Sequence, residues 1–266
     1  MNPPVLSAHV SGIGFWTRGL PSWEAARAYV NGGALSADAP NRPSPQLLAA
    51  NERRRAPETV AVALEVALAA CVAAGRDPAS LSSVFTSTHG DLAITDYMCE
   101  TLAGDPRSIS PTRFHNSVHN AAAGYWSIGA GAMTPATAIS AGRHSFAQGL
   151  LEALAQLASG TEAVLLVAYD GHATGPLGHV SRSEGLLGGA LVLGRDPLPG
   201  SPRLQARLLP QSGAPAGRSA GALSALVAGN AMSPMLPLFE ALAGARPSVA
   251  LEAGPASALS VEISHD

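Results

Sequence analysis

The residues with the clearest chemical potential lie where a predicted strand breaks into a helix, at Gly142 to Ser145. A serine nucleophile in a sharp elbow needs glycine two positions before it and two positions after it. Positions 143 and 147 hold Arg and Ala, so Ser145 is interpreted as a residue of the first helical turn. Arg143 and His144 place cations at a helix start, which the helix dipole disfavours. A role toward a ligand or partner therefore stays open for them, beside simple solvent exposure.

Two histidines and two cysteines are the remaining candidates for metal or nucleophilic chemistry. On a helix, His115 and His119 would share a face and could bind a metal. No third ligand of the right type is nearby, so we predict hydrogen-bonding or interface roles and no metal or cofactor. Cys71 falls on the apolar face of a predicted helix and is interpreted as a core residue. Cys99 lies on a short helix with no exposing turn or base beside it.

Composition excludes several classes of function. All 16 basic residues are Arg, which rules out a Schiff-base lysine and a Walker-type lysine. The net charge of -3 argues against nucleic acid as the main ligand. Charged residues make up only 13% of the 266 positions, against about 25% in typical proteins, so we expect apolar area to face a partner subunit. Without a signal-like start or an apolar run of about 20 residues, a cytoplasmic location is expected.

Strands alternating with helices predict an α/β protein with a mixed sheet. Helices are predicted from Pro57 to Ala74, around Tyr97, over 118–132 as a helix buried on all sides, from His144 to Ala158, and up to Gly244. The predicted strands are His9–Phe15, Ser83–Ser87, Thr137–Ser140, Ala163–Ala168, Leu187–Leu193, Arg203–Leu208, Ser248–Glu252 and Ala258–Ile263.

Several motifs in the middle of the chain resemble those of β-ketoacyl synthases, which have the thiolase fold. They are Ser110-Pro111, the small-residue run Asn120–Gly124, the strand and bend Pro135–Gly142, and the glycine-rich run Ser183–Leu193. The phrase Phe114–Asn120 more narrowly resembles the β-ketoacyl synthase N-terminal-like proteins of aryl polyene and xanthomonadin pigment clusters, which are chain-length-factor-like. The resemblance implies a thiolase-like mixed five-stranded sheet with helices, a synthase-like half over residues 1–198, and a shortened second half over 199–266.

The chain departs from this resemblance at the catalytic positions. The synthase cysteine falls on Gly142, which has no side chain, so no thioester can form there. The family's two catalytic histidines belong to the second half, whose only histidine is His265. The run His172–Gly178 looks like a histidine-threonine-glycine motif but lies in the wrong half, and we interpret it as a loop. The resemblance therefore implies a vestigial site with no catalytic residue, in a chain that is not an enzyme on its own.

The resemblance also implies partners. The strand Thr137–Ser140 would pair with a cysteine-bearing β-ketoacyl synthase in a heterodimer. Two segments, Asp91–Met98 and Arg113–Val118, would shape the end of its acyl tunnel. The basic run Arg53, Arg54 and Arg55 would attract an acidic acyl carrier protein. The residues predicted for tunnel or interface are Asp91, Leu92, Thr95, Met98, Arg113, Phe114, Val118, Thr137 and Ile139.

Two other functions stay open from the sequence. One is a homodimeric scaffold that binds an acyl carrier or a polyene without chemistry. The other is an acyltransferase that uses an unrecognised nucleophile.

Overall fold

A computed structural model describes residues 4–210 and 221–265, and its described strands form a single eight-stranded sheet. The strand order across the sheet is β3-β2-β4-β5-β1-β6-β8-β7. The strands are β1 (Leu6–Thr17), β2 (Ser82–Thr86), β3 (Ala136–Ile139), β4 (Ala163–Asp170), β5 (Leu187–Gly194), β6 (Pro202–Pro210), β7 (Ser248–Gly254) and β8 (Ser257–His265).

The sheet is mixed, as the alternation of strands and helices predicted. Strand β2 pairs in parallel with β3 and β4, whereas β5, β1, β6, β8 and β7 are joined by antiparallel pairs. The thiolase-like mixed architecture is confirmed, but the predicted number of five strands is corrected, because β1 to β5 account only for the strands before residue 199. The three strands that follow extend the same sheet through the β1–β6 pair, so the sheet has eight strands in total.

Helices cover both faces of the sheet, which explains why β4 and β5 are buried along their whole length. The helices are α1 (Trp23–Val30), α2 (Ala50–Arg55), α3 (Glu58–Ala73), α4 (Leu92–Gly104), α5 (Pro111–His115), α6 (Ala121–Ala130), α7 (Ser145–Ala158), α8 (Gly175–Val180), α9 (Ala222–Leu226) and α10 (Leu236–Ala243). Among the described residues, none of these helices has the length and apolar character needed to cross a membrane.

On one face, helix α3 lies unusually close to strand β1. A Cβ atom added to Gly12 would lie 2.1 Å from the carbonyl oxygen of Ala70, and one added to Gly14 would lie 2.0 Å from that of Val66. Both distances are far below a normal contact, so only glycine allows the helix and strand backbones to meet here. Cys71 lies in this helix and is fully buried, which confirms it as a core residue.

On the other face, helix α7 packs between the sheet and the second part of the chain. Its buried side includes Phe146, Leu150 and Leu154, as the apolar spacing over 144–158 predicted. The ring of Phe146 lies 6.2 Å from that of Phe239 on α10. Because α7 contacts both β3 and β7, which are opposite edges of the sheet, the sheet curves around this helix.

Helix α6 corrects one prediction, since it is not buried on all sides. It buries Ala122, Ala123 and Trp126 against α3, β2 and β3, but the side chain of Ile128 is 78% exposed. Met133, which follows the helix, is 97% exposed. The small-residue composition indicated burial correctly for one side only, because the described part of the chain supplies no element to cover the other side.

Candidate functional site

The elbow at the end of β3 is built around a glycine. Gly142 has φ +59°, and a Cβ atom added to it would meet no atom within 4 Å. The left-handed backbone favours glycine, whereas the space around it would accept a side chain. Position 142 is therefore exposed and open, and it is restricted by its backbone conformation alone.

The Ser145 hydroxyl forms hydrogen bonds with the backbone of the elbow. It donates to the Gly142 carbonyl at 2.6 Å and accepts from the Ala141 N–H at 2.9 Å. The side chain is buried as the first residue of α7. This confirms Ser145 as a first-turn residue, since both polar functions of its hydroxyl are used by the backbone.

Arg143 and His144, beside the elbow, have a partner within the chain. Arg143 forms a two-point ion pair with Glu252 of β7, with Nε to Oε2 at 2.8 Å and a terminal nitrogen to Oε1 at 3.0 Å. His144 Nδ1 lies 3.4 Å from the Glu252 carbonyl oxygen. The carboxylate offsets the unfavourable position of Arg143 at a helix start and ties the elbow to the end of β7.

A buried aspartate supports the loop that faces the elbow. Asp170 ends β4 and accepts hydrogen bonds from the Ser87 hydroxyl at 2.6 Å, the Thr88 N–H at 2.9 Å and the His89 N–H at 3.2 Å. Burial raises the pKa of Asp170, and the hydrogen bonds from Ser87 and Thr88 partly offset the rise. Asp170 was not predicted as a site residue, although an acid after the apolar run that starts at Ala163 was a visible signal.

The loop supported by Asp170 contacts the elbow directly. The Thr88 hydroxyl donates to the Gly142 carbonyl at 3.3 Å, and the Ser140 hydroxyl donates to the Thr88 carbonyl at 3.0 Å. Beyond Thr88, the His89 ring Nε2 lies 2.6 Å from the hydroxyl oxygen of Ser181, which follows α8. A serine and a histidine that are distant in sequence thus meet beside the elbow.

The first predicted tunnel segment begins at the end of the same loop. Asp91 caps α4 by accepting from the Ile94 N–H at 3.0 Å, and its other oxygen accepts from the Thr59 hydroxyl at 2.7 Å. The other three predicted residues of this segment lie on α4 and are half-buried: Leu92, Thr95 and Met98.

The second predicted tunnel segment lies on α5 and just after it. Arg113 stacks over the Tyr97 ring at 4.1 Å, while Phe114 and Val118 are exposed. Val118 and Asp91 line a cavity of about 10 Å³, the size of one water molecule. The two segments therefore meet at Asp91 and Val118 and at the stacked pair of Tyr97 and Arg113. The side chain of Phe114 is exposed among the described residues.

Within residues 4–210 and 221–265, strand β3 pairs with β2 alone, so its other edge is free. The side chains of Ala136 and Ala138 are exposed, whereas Thr137 and Ile139 are half-buried. Ile139 also lines an open groove of about 590 Å³ between α7 and the turn after β7. The edge therefore presents unpaired backbone groups next to an apolar groove, which is a surface that another strand can extend.

Several residues singled out from the sequence lie elsewhere or in another geometry. Arg53, Arg54 and Arg55 lie on α2, where Arg53 donates to the Leu48 carbonyl and the other two are exposed. His172 lies in the loop before α8, as predicted.

The helical face expected to carry His115 and His119 does not form. His115 ends α5 and packs its ring edge to face with Tyr125, with the centroids 5.9 Å apart. His119 lies after that helix, and its Nε2 is 2.9 Å from the Ser87 carbonyl oxygen. The two histidines therefore do not combine as metal ligands on one face of a helix.

Comparison with solved structures shows the fold. One match is a ketosynthase in complex with its chain length factor from Xenorhabdus doucetiae, with a TM-score of 0.74, 22% identity, and coverage of 97% of this chain and 99% of the other. The ishigamide ketosynthase/chain length factor matches with a TM-score of 0.72 at 17% identity over 96% and 98%. A β-ketoacyl synthase from Burkholderia phymatum matches with a TM-score of 0.56 at 16% identity over 73% and 59%. These matches confirm the thiolase-like α/β fold.

Comparison of the sequence gives the family. No curated protein matches this chain. The family model of the β-ketoacyl synthase N-terminal domain matches residues 23–192, which run from the start of α1 almost to the end of β5 and include the elbow. Because this match covers more than half of the 266 residues, the chain belongs to the β-ketoacyl synthase family.

Proposed function

We propose that this chain is a catalytically inactive, chain-length-factor-like subunit that pairs with an active β-ketoacyl synthase and shapes its acyl tunnel. The chain elongated would be of the polyene or fatty-acid type. The observation that carries the proposal is an intact strand-to-helix elbow whose nucleophile position is Gly142. Covalent elongation needs a thiolate, and glycine offers none.

The residues around Gly142 support the proposal that no other side chain replaces the missing nucleophile at the elbow. The Ser145 hydroxyl, which is nearest in sequence, is held by two backbone groups. Arg143 is paired with Glu252 rather than directed at a substrate. The elbow is thus preserved as a structural element that could shape a neighbouring site.

The free edge of β3 supports pairing with a synthase. Addition of a partner strand along Thr137 to Ile139 would satisfy its unpaired backbone groups and cover Ala136 and Ala138. The adjacent apolar groove would be covered at the same time, in keeping with the low charge of the chain. Two of the matched structures are, by their descriptions, assemblies of a ketosynthase with a chain length factor.

The tunnel assignment rests on the segments beside the elbow. Half-buried side chains on α4 and exposed apolar ones after it could reach a partner's acyl chain, with bulky groups ending chain growth. A hydrophobic pocket discriminates between acyl chains that differ by one methylene by only about 1–3 kcal/mol. A bulky side chain that blocks the tunnel is therefore a suitable means of limiting chain length. The residues proposed for this role are Asp91, Leu92, Thr95, Met98, Arg113, Phe114 and Val118.

Carrier-protein docking is proposed for the exposed guanidinium groups of α2. Arg54 and Arg55 point away from the core, and a cationic patch speeds encounters with an acidic carrier. We also propose that residues 1–198 form the synthase-like half and 199–266 the shortened half that packs on it.

Co-expression tests the pairing. The chain and a cysteine-bearing ketosynthase from the same organism are produced together, and the complex is purified through a tag on one of them. Ala138→Asp places a charge on the exposed side of β3 and should abolish co-purification. The matched control Val72→Asp alters a residue that is 72% exposed on α3, and it should leave co-purification intact. Failure of the unaltered pair to co-purify, with light scattering showing a homodimer of this chain, would favour the scaffold function instead.

A further inference from the structure

We propose that Ser181 and His89 form a nucleophile–base pair through which this chain accepts an acyl group from a thioester. The proposal goes beyond a tunnel-shaping role, because it gives the subunit an acyl-accepting position of its own. It is compatible with inactivity in chain elongation, because forming one ester on Ser181 extends no acyl chain and does not use the elbow. The observation behind it is the contact of 2.6 Å between the His89 Nε2 and the Ser181 hydroxyl oxygen, across 92 residues of sequence. This is the distance at which a base takes a proton from a serine.

The histidine is held in place by its backbone. The His89 N–H donates to the Asp170 carboxylate at 3.2 Å and lies 3.3 Å from the Ser87 hydroxyl oxygen, which also accepts from the Gly90 N–H at 2.8 Å. Asp170 and Ser87 are fully buried, so the loop that carries His89 is fixed on the core. Only the imidazole reaches outward, which suits a group that must meet a substrate.

The serine is equally well positioned and remains accessible. The Ser181 N–H donates to the Leu177 carbonyl at 2.9 Å, and two residues later the Ser183 carbonyl accepts from the Ala173 N–H at 2.8 Å. Ser181 itself is exposed. The hydroxyl is therefore presented by a segment that is anchored on both sides of it.

Apolar surface next to the pair indicates the chemical class of the substrate. Val180 immediately precedes Ser181 and its side chain is 83% exposed, and Leu177, one helical turn earlier on α8, is also exposed. An acyl chain can pack on these two side chains while its carbonyl carbon meets the Ser181 oxygen. The pair also lies beside the elbow, through the contact of Thr88 with Gly142.

The reaction is an acyl transfer without redox change. The Ser181 oxygen attacks the thioester carbonyl carbon while His89 Nε2 takes the hydroxyl proton, which requires the ring proton to be on Nδ1. The new C–O bond forms, the C–S bond breaks, and the proton passes from His89 to the leaving sulfur. The products are an ester on Ser181 and a free thiol.

The full chain incubated with the octanoyl thioester of N-acetylcysteamine tests the proposal. Tandem mass spectrometry should find one octanoyl group per chain, on the peptide that contains Ser181. Ser181→Ala should carry no adduct, and His89→Gln should acylate about 10²–10⁴-fold more slowly. The matched control Ser80→Ala removes an exposed hydroxyl far along the chain and should acylate at the unaltered rate.

Two results would overturn the proposal: no octanoyl adduct on Ser181 of the unaltered chain, or an adduct that forms equally fast in His89→Gln. Melting curves of both variants show whether each is folded, and both alter surface-accessible side chains. Ser181→Ala should still co-purify with the ketosynthase. Acyl transfer to Ser181 and pairing with a synthase can therefore fail independently.

Discussion

A cysteine at position 142 is expected to be accessible and still unable to elongate an acyl chain. Gly142 has φ +59°, and an added Cβ meets no atom within 4 Å, so Gly142→Cys creates backbone strain without a clash. A left-handed residue other than glycine costs about 1–2 kcal/mol. For a chain of this size the melting temperature should fall by about 2–8 °C. The new thiol should react with iodoacetamide, because the position is exposed.

The same variant should gain no decarboxylative elongation. The elbow supplies the helix start, but the second half carries no histidine except His265 to decarboxylate a malonyl unit. The assay measures CO₂ release from malonyl carrier protein by the purified variant. Gly131→Ala is the matched control for strain, because Gly131 has φ +66° and equally open space beyond α6. Elongation by Gly142→Cys alone would refute the reasoning, as would a melting temperature unchanged from that of the unaltered chain.

Three further predictions follow from the packing and the buried groups. Gly14→Ala should destabilise the chain by about 1–3 kcal/mol or more in urea unfolding, because its Cβ would lie 2.0 Å from a carbonyl oxygen of α3, whereas Gly124→Ala meets open space and should not. Burial raises the pKa of Asp170 in the folded chain, so the free energy of unfolding should decrease as the pH rises from about 4 through that raised pKa. Asp170→Asn should lack this decrease. A free energy of unfolding that increases over the same pH range in the unaltered chain would contradict the prediction. Peptide mapping after thiol labelling should find Cys99 modified and Cys71 unmodified, because burial raises the pKa of Cys71 to about 12.

Much of the fold could be predicted from residue patterns. The continuous apolar runs at Ala163 and Leu187 became β4 and β5, buried at every residue, because a sheet covered on both faces leaves no polar side. The spacing over 144–158 gave α7 correctly, since one face of a helix needs only local sequence to define it. Strand pairing across β1 and β6 was not predicted, because it joins residues about 200 positions apart.

The candidate site also contains residues that local sequence predicts and residues that depend on contacts distant in sequence. The elbow could be predicted because the strand, the bend and the following helix are consecutive in sequence, and the resemblance to β-ketoacyl synthases then placed Gly142 at the nucleophile position. The roles of Asp170 and of the pair His89 and Ser181 were not visible, because their contacts join residues more than 80 positions apart. Helix α6 shows the converse error: an apolar composition predicted burial on all sides, yet which side is covered depends on the elements around it, and Ile128 is exposed.

Chain elongation measured with and without a synthase tests the central claim most directly. The purified chain, the cysteine-bearing ketosynthase and their mixture are each given acyl and malonyl carrier protein, and the products are analysed by mass spectrometry. The proposed function predicts no elongation by this chain alone and products of defined length from the mixture. Elongation by this chain alone would contradict it.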